Sequence, residues 1–120
     1  MDASNSELVV GHTDSGAESI ARRLPSSHVV ASFQAKPSEL LFDVFEARAS
    51  SSRPNIVYCG DHAPSEELAA ALLGEIGFAP VDAGPLRIAR LAESFGMLAT
   101  AFAYGHEEGP KWVCHFCRSK

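Results

Sequence analysis

Short apolar runs alternate with helical patterns over residues 16–104 of this 120-residue chain, and this alternation restricts the chain to few folds. The apolar runs cover 28–33, 55–59 and 79–82, and the helical patterns cover 16–24, 38–48, 64–76 and 87–104. Strands that alternate with helices are typical of units in which a helix crosses over between parallel strands. We therefore predict an α/β fold with a mainly parallel sheet of three or four strands, flanked by about four helices.

Charge and composition exclude several classes of protein. The formal net charge is −5, which argues against a nucleic-acid-binding protein, because such proteins need a basic face. No apolar run approaches the ~20 residues that span a bilayer, so we expect no membrane segment. Three cysteines cannot complete a disulfide framework, and the polar first residues do not resemble a signal peptide. We therefore expect a cytoplasmic protein.

Helix boundaries are marked by capping residues and prolines. Asp14 or Ser15 is the predicted N-cap of the first helix, since a short side-chain oxygen accepts a free first-turn N–H. Asp61 is the predicted cap of the third helix, and Gly77 is its predicted end. Gly84 lies in the turn before the last helix, where a glycine permits an unusual backbone conformation and close approach of a ligand.

The last helix carries large apolar residues at alternating spacings of three and four: Ile88, Leu91, Phe95, Leu98 and Phe102. This spacing is also that of a coiled-coil seam. One interpretation is that the residues pack on the sheet as part of the core. The other is that they pack on a second copy of the chain.

Two groups of reactive side chains have alternative interpretations. Cys59 could be a thiol nucleophile with His62 as its base, or a small core residue of a strand. Arg90 could pair with Glu93 three residues along the helix, or act with Arg87 on an anionic ligand.

The C-terminal segment contains a Cys-x-x-Cys motif at Cys114 and Cys117, with His106 and His115 nearby. A structural zinc site needs four ligands, and a second Cys-x-x-Cys is absent from the sequence. Redox motifs of this type lie at a helix start after a strand, not at a chain end. We therefore predict no metal site, and a polar tail over 106–120.

No glycine-rich phosphate loop is present anywhere in the sequence. Neither G-x-G-x-x-G nor a P-loop occurs, although both are the usual means by which an α/β domain binds a nucleotide pyrophosphate. The chain instead starts with Asp-Ala-Ser-Asn at 2–5, polar residues of a kind that line a ligand cleft when they follow a strand.

Several motifs occur in the order and spacing found in one enzyme family. They are Asp-Ala-Ser-Asn at 2–5, Ser-Gly-Ala-Glu at 15–18, Val-Ala-Ser-Phe-Gln at 30–34, Cys-Gly-Asp at 59–61, Gly-Phe-Ala-Pro-Val-Asp-Ala-Gly-Pro-Leu at 77–86 and Ala-Arg-Leu-Ala-Glu at 89–93. Over about residues 2 to 105 the chain resembles the NADP(H)-dependent oxidoreductases similar to the deazaflavin-dependent NADP reductases. The family's Lys and Asn in the third motif are replaced here by Ala31 and Gln34.

This resemblance implies that 1–105 is the C-terminal half of a Rossmann-like oxidoreductase domain. It implies a nicotinamide and acceptor cleft lined by Asn5, Phe33, Gln34 and Gly84, and NADP(H) as the cofactor, with deazaflavin or a similar molecule as the acceptor. The half that carries the glycine fingerprint is not matched, so we expect NADP(H) binding by this chain alone to be weak or absent.

Two functional hypotheses follow. The chain is either a truncated member of the oxidoreductase family, not catalytic alone, or a non-catalytic interaction or remnant domain. In the first case a partner chain supplies the missing half. In the second the chain forms a homo-oligomer or a complex with a partner chain, either through the uncovered sheet edge at 28–33 or through the apolar residues of the last helix.

Overall fold

The computed structural model describes residues 13–33, 40–105, 115–117 and 119. The predictions made for Asn5, Gln34 and Cys114 lie outside these residues, as does most of the predicted tail. The elements in chain order are α1 (Gly16–Arg23), β1 (Val30–Ser32), α2 (Leu41–Glu46), β2 (Asn55–Gly60), α3 (Ala63–Ile76), β3 (Ala79–Asp82), a 3-10 turn (Leu86–Ile88) and α4 (Ala89–Tyr104). None of the helices in the described ranges is long and apolar enough to cross a membrane.

The three strands form one mixed sheet in the order β1-β2-β3. β2 and β3 are parallel, whereas β1 runs antiparallel to β2 with Val30 opposite Gly60 and Ser32 opposite Tyr58. The predicted α/β class, the strand count and the four helices are confirmed, and one of the two strand pairs is parallel as predicted. The apolar runs that predicted the strands carry no information on direction. Direction depends on the end of the sheet at which the chain enters β2 after α2.

The two faces of the sheet carry separate apolar cores. On one face Ala31 and Cys59 pack with Ala17 of α1, Leu86 of the 3-10 turn and Ala89 of α4. On the other face Ile56 packs with residues from the region of α2 and α3: Leu40, Val44, Leu73 and Phe78. Ile56 and Cys59 are three positions apart on β2, so their side chains point to opposite faces.

Much of the apolar surface predicted to be buried is exposed. Ile20 and Leu24 of the first helical pattern, Phe45 of α2, and Leu68 and Leu72 of α3 all lie largely in solvent. The helical spacing at 38–48 and 64–76 predicts that Phe45, Leu68 and Leu72 face inward. This prediction is wrong, because three strands present too little area to cover four helices. An exposed apolar surface of this size usually marks an interaction site.

Two residues fix the ends of α2 and α3 against each other. The guanidinium of Arg53 donates hydrogen bonds to the carbonyl of Arg48 after α2 and to the carbonyl of Gly74 in the last turn of α3. Gly77 ends α3, as predicted, with φ +126°. A methyl group at Gly77 would lie 2.5 Å from the carbonyl oxygen of Val44. Only a glycine at position 77 therefore allows α2 to approach the end of α3 this closely.

Gly77→Ala is expected to lower the free energy of unfolding by about 2 kcal/mol or more, because the new side chain adds strain at a positive φ and displaces Val44. Gly74→Ala is the matched control, since Gly74 lies inside α3 with open space at its Cβ position. We expect that variant to gain about 0.5–1 kcal/mol from the higher helix propensity of alanine. Urea denaturation measures both, and equal effects of the two substitutions would contradict the proposed contact.

Candidate functional site

β1 lies at one edge of the described sheet, and a groove runs along it on each face. The groove on the α3 side has a volume of about 580 Å³ and is lined by Val30, Ser32 and Phe33 together with apolar residues of α2 and α3, among them Phe45, Leu72 and Ile76. Glu75 is its charged residue. We call it the α3-side groove. Its size and mainly apolar lining are those of a ligand site or of a surface that packs against another segment.

The groove on the opposite face has a volume of about 340 Å³ and is more open. It is lined by β1 and by residues of α1 and α4: Gly16, Ala17, Ile20 and Glu93. We call it the α1-side groove. Together the two grooves leave β1 accessible from both faces of the sheet.

Phe33, predicted to line the nicotinamide cleft, follows β1 and lines the α3-side groove. Its φ is +69°, and it is the only described residue other than glycine with a positive φ. Its ring packs edge-on against Phe78, with the ring centroids 6.2 Å apart. A bulky residue rarely adopts this conformation, and such strained positions concentrate at functional sites.

Gly84, the other described member of the predicted cleft, lies beyond the carboxyl end of β3. Its φ is +111° and its N–H donates to the carboxylate of Asp82, while its carbonyl accepts from the N–H of Gly60. β2 separates Gly84 from β1, and neither groove is lined by Gly84. The described residues therefore place Phe33 and Gly84 at separate positions.

Asp61 stabilises the turn that follows Gly84 and does not cap α3 as predicted. Its carboxylate accepts a hydrogen bond from the N–H of Leu86, at 2.9 Å, and so fixes the start of the 3-10 turn. His62 is the N-cap of α3 and makes no side-chain capping bond. The prediction of an Asp61 cap is wrong, because the parallel pairing of β2 with β3 brings the start of the 3-10 turn within reach of Asp61.

A polar network joins α1 to α4. Arg90 makes a bidentate ion pair with Glu18, with both N···O distances 2.9 Å. Ser15 caps α1, as predicted, by accepting from the N–H of Glu18, and its hydroxyl donates to the Glu18 carboxylate. Arg90 and the Ser15 hydroxyl both stabilise the ionised carboxyl, so they hold the pKa of Glu18 below its ordinary value.

Glu93 binds the N-terminus of α1. Its carboxylate accepts hydrogen bonds from the N–H groups of Gly16 and Ala17, at 2.9 and 3.2 Å. Free N–H groups at a helix start attract anions, and here a carboxylate from α4 already occupies them. The predicted Arg90–Glu93 pair is wrong, because α1 offers each of the two residues a separate partner.

Cys59 and His62 do not form a nucleophile and base pair. Cys59 is 1% exposed and its thiol lies 3.9 Å from the carbonyl of Leu86, and burial raises its pKa to about 11. The ring of His62 contacts the Ser65 hydroxyl at 2.8 Å and stacks on His28, with the ring centroids 3.6 Å apart. No sequence signal indicated this stacking, because it depends on the antiparallel pairing of β1 with β2.

Within the described ranges, no three His, Cys, Asp or Glu side chains cluster as metal ligands would. The N-terminus of α1 is not open to a nucleotide pyrophosphate, because its first N–H groups are bound by Glu93.

Comparison with solved structures finds chains of similar fold. The crystal structure of a protein provisionally named as an F420-dependent NADP reductase, from Arthrobacter sp. FB24, superimposes with a TM-score of 0.78 at 25% identity. This chain is similar to that reductase. The match covers 93% of this chain and 50% of the reductase chain. No family model and no curated protein matches significantly.

This match confirms the resemblance inferred from the motifs and the Rossmann-like fold. The chain spans half the length of the solved structure, which fits the predicted similarity to one half of such an enzyme. Two of the motifs that carry the resemblance, at 15–18 and 89–93, are the segments that form the network between α1 and α4. Their role in the described structure is to fix the two helices together.

Glu18→Gln is expected to destabilise the chain at pH 7 and to do so less as the pH falls. The folded-state pKa of Glu18 is depressed, so its contribution is present above the ordinary value of 4.5 and is lost below it. The difference in unfolding free energy between the variant and the wild type should therefore shrink as the pH falls below 4.5 and through the lower folded-state pKa of Glu18. Glu46→Gln, at an exposed residue of α2, is the control, and a pH-independent difference for Glu18→Gln would contradict this assignment.

Cys59 is expected to resist alkylation in the folded chain, because burial blocks access to its sulfur and the raised pKa keeps the thiol protonated. Cys117 is exposed and should react at least tenfold faster at pH 8. Iodoacetamide labelling followed by peptide mass spectrometry distinguishes the two sites, with urea-unfolded protein as the control. Comparable labelling of both residues in the folded state would restore the nucleophile hypothesis for Cys59.

Proposed function

We propose that this chain forms the acceptor-side half of an NADP(H)-dependent oxidoreductase that transfers hydride between a nicotinamide and a deazaflavin or similar acceptor. The observation that carries the proposal is the structural similarity to the Arthrobacter reductase over nearly the whole chain. The ordered motifs at 77–86 and 89–93 support the same assignment. In this proposal the chain is not catalytic by itself.

The dependence on another segment follows from the missing pyrophosphate site. A dinucleotide is held mainly by backbone N–H groups of a glycine-rich turn and by the start of the following helix. This sequence has no such turn, and the N–H groups of Gly16 and Ala17 are bound by Glu93. Residues outside this sequence, on the same polypeptide or on another, would therefore supply the phosphate site.

The edge formed by β1 is the surface on which that other half would dock. β1 hydrogen-bonds to β2 on one side only within the described sheet, and it has a groove on each face. A strand added at this edge would pair with Val30–Ser32 and cover the apolar lining of both grooves. Phe33 would then lie between the two halves, where it would help to exclude water from the reacting groups.

Within this proposal Asn5, Phe33, Gln34 and Gly84 face the cofactor and the acceptor. Phe33 has the strongest structural support of the four, because it combines a strained backbone with a position in the larger groove. Gly84 requires the docked half to reach across the sheet to the end of β3. The cofactor itself would supply the hydride, and the chain's residues would orient the acceptor and keep the site dry.

A non-catalytic interaction domain is the second candidate. The exposed apolar residues of α1, α2 and α3 favour it, since they form an interaction surface whether or not chemistry follows. Dimerisation through the sheet edge alone is less well supported, because β1 has only three residues and offers few backbone hydrogen bonds.

Calorimetric titration of NADPH into the chain alone is expected to give no binding up to millimolar concentration. The same chain fused to the half of the Arthrobacter reductase that it does not match should bind NADPH at micromolar concentration, more tightly than NADH. The fusion should also reduce a deazaflavin acceptor with NADPH, whereas each half alone should not. Micromolar NADPH binding by the chain alone would refute the proposed dependence on a second half.

The contribution of Phe33 can be measured in the same fusion. Phe33→Ala should lower the rate of acceptor reduction by about tenfold or more, because the acceptor loses its positioning surface. Leu68→Ala is the control, at an exposed residue of α3 that does not line either groove. A folded and active fusion whose rate is unchanged by Phe33→Ala would remove Phe33 from the site.

A further inference from the structure

The backbone turns sharply at Phe33, directly after β1. β1 pairs with β2 as far as Ser32 and Tyr58, and Phe33 opposite Val57 would be the next pair in this register. Phe33 has φ +69° and is not part of the strand. A phenylalanine rarely adopts such a conformation, so the contacts around it must hold the backbone there.

The turn changes the face of the sheet on which the Phe33 ring lies. Side chains along a strand alternate between the two faces. Ala31 belongs to the apolar core beside α1 and α4, so a regular strand would direct the Phe33 ring toward that same face. The ring instead packs against Phe78, which belongs to the core on the α3 side, and it lines the α3-side groove.

The carbonyl of Val57 is the group that would extend the pairing of β1 with β2. The Tyr58 carbonyl accepts from the N–H of Ala83, on the β3 side. Backbone groups of successive strand residues point to opposite edges, so Val57 directs its carbonyl toward β1. That carbonyl accepts a hydrogen bond from the Ser32 hydroxyl, with an O···O distance of 2.8 Å. The Ser32 hydroxyl therefore occupies the acceptor that the N–H of Phe33 would use in a longer β1.

We propose that Ser32 is a positioning residue, whose hydroxyl ends β1 and thereby keeps the Phe33 ring on the α3 side of the sheet. Serine hydroxyls compete in this way with the backbone N–H groups of regular structure. The inference rests on the proposed function, in which Phe33 faces the cofactor and the acceptor. If β1 continued through Phe33, the ring would lie on the α1 side and leave the α3-side groove.

Space exists for the ring on either face of the sheet. On the α3 side Phe33 remains 40% exposed, so its packing against Phe78 is incomplete. On the other face the α1-side groove, of about 340 Å³, borders β1 beside Ala31. A regular strand would also relieve the strained φ of Phe33. The hydrogen bond of the Ser32 hydroxyl therefore decides between the two positions of the ring.

Amide exchange and nuclear Overhauser contacts in the full chain test the placement without any assay of activity. We expect Ser32→Val to slow exchange of the Phe33 amide at least about tenfold, because this N–H gains the Val57 carbonyl. Contacts between the rings of Phe33 and Phe78 should be lost, and contacts of the Phe33 ring with Ala17 in the α1-side groove should appear.

Ser32→Thr is the matched variant, since threonine has nearly the shape of valine and keeps the hydroxyl. It should retain the wild-type exchange and ring contacts. Ser94→Ala is a second control, because it removes a serine hydroxyl that donates to a carbonyl within α4, at 3.0 Å. It should leave Phe33 unchanged.

Unchanged exchange of the Phe33 amide and unchanged ring contacts in Ser32→Val would overturn the proposal. Circular dichroism checks that the variant is folded. Ser32→Ala, which adds little bulk, takes its place if the valine variant does not fold, and the same outcomes decide.

Activity of the fusion with the unmatched half of the Arthrobacter reductase connects the placement with function. We expect Ser32→Val to lower the rate of acceptor reduction by about tenfold and Ser32→Thr to restore it, because only the first moves the ring. Phe33→Ala combined with Ser32→Val should be no slower than Phe33→Ala alone, since both changes remove the same ring from the site. Additive losses would show that Ser32 acts independently of Phe33 and would overturn the positioning role.

The two measurements separate this inference from the proposed function. A wild-type fusion without activity, together with the expected exchange and ring contacts, would refute the proposed function and leave the placement of Phe33 by Ser32 intact. An active fusion in which Ser32→Val leaves the Phe33 amide and ring unchanged would refute the inference alone.

Discussion

The carboxylate of Glu93 on the N-terminus of α1 is the contact on which the arrangement of the described structure depends. Charge-assisted hydrogen bonds of this kind each contribute about 1.5–3 kcal/mol, and the helix dipole adds to them. The contact has three consequences. It fixes α4 against α1 over one face of the sheet, it occupies N–H groups that an anionic ligand would otherwise use, and it sets which side of α4 faces solvent.

The second physical constraint is the small size of the sheet. Three strands support an apolar core on each face, but the cores are modest and several large side chains of α1, α2 and α3 remain exposed. The edge strand β1 is the element at which this surface is concentrated, since grooves border it on both faces. A fold that matches half of a longer reductase leaves uncovered the surface that the other half of such an enzyme would be expected to bury.

Much of the fold could be predicted from local patterns. The apolar run at 79–82 corresponds to β3, and the helix pattern at 64–76 differs from α3 by one residue. Ser15 and Gly77 act as the predicted N-cap and helix end, because capping depends on the side chain and backbone of the residue itself. The interpretation of Arg90 failed for the opposite reason: its partner is 72 positions away, and sequence spacing favours the nearer Glu93.

The sequence by itself determined the order of the elements, their ends, the missing phosphate loop and the resemblance to a reductase family, because each depends on neighbouring residues or on a linear motif. Only the tertiary structure decided the direction of β1, the partners of Arg90 and Glu93 and the exposure of Leu91, Phe95 and Leu98 on α4. These depend on which surfaces meet after the chain has folded back on itself. An apolar stripe on a helix has the same periodicity whether it faces its own sheet or solvent, and here the hydrogen bonds from the start of α1 to Glu93 leave Leu91, Phe95 and Leu98 of α4 on the exposed side.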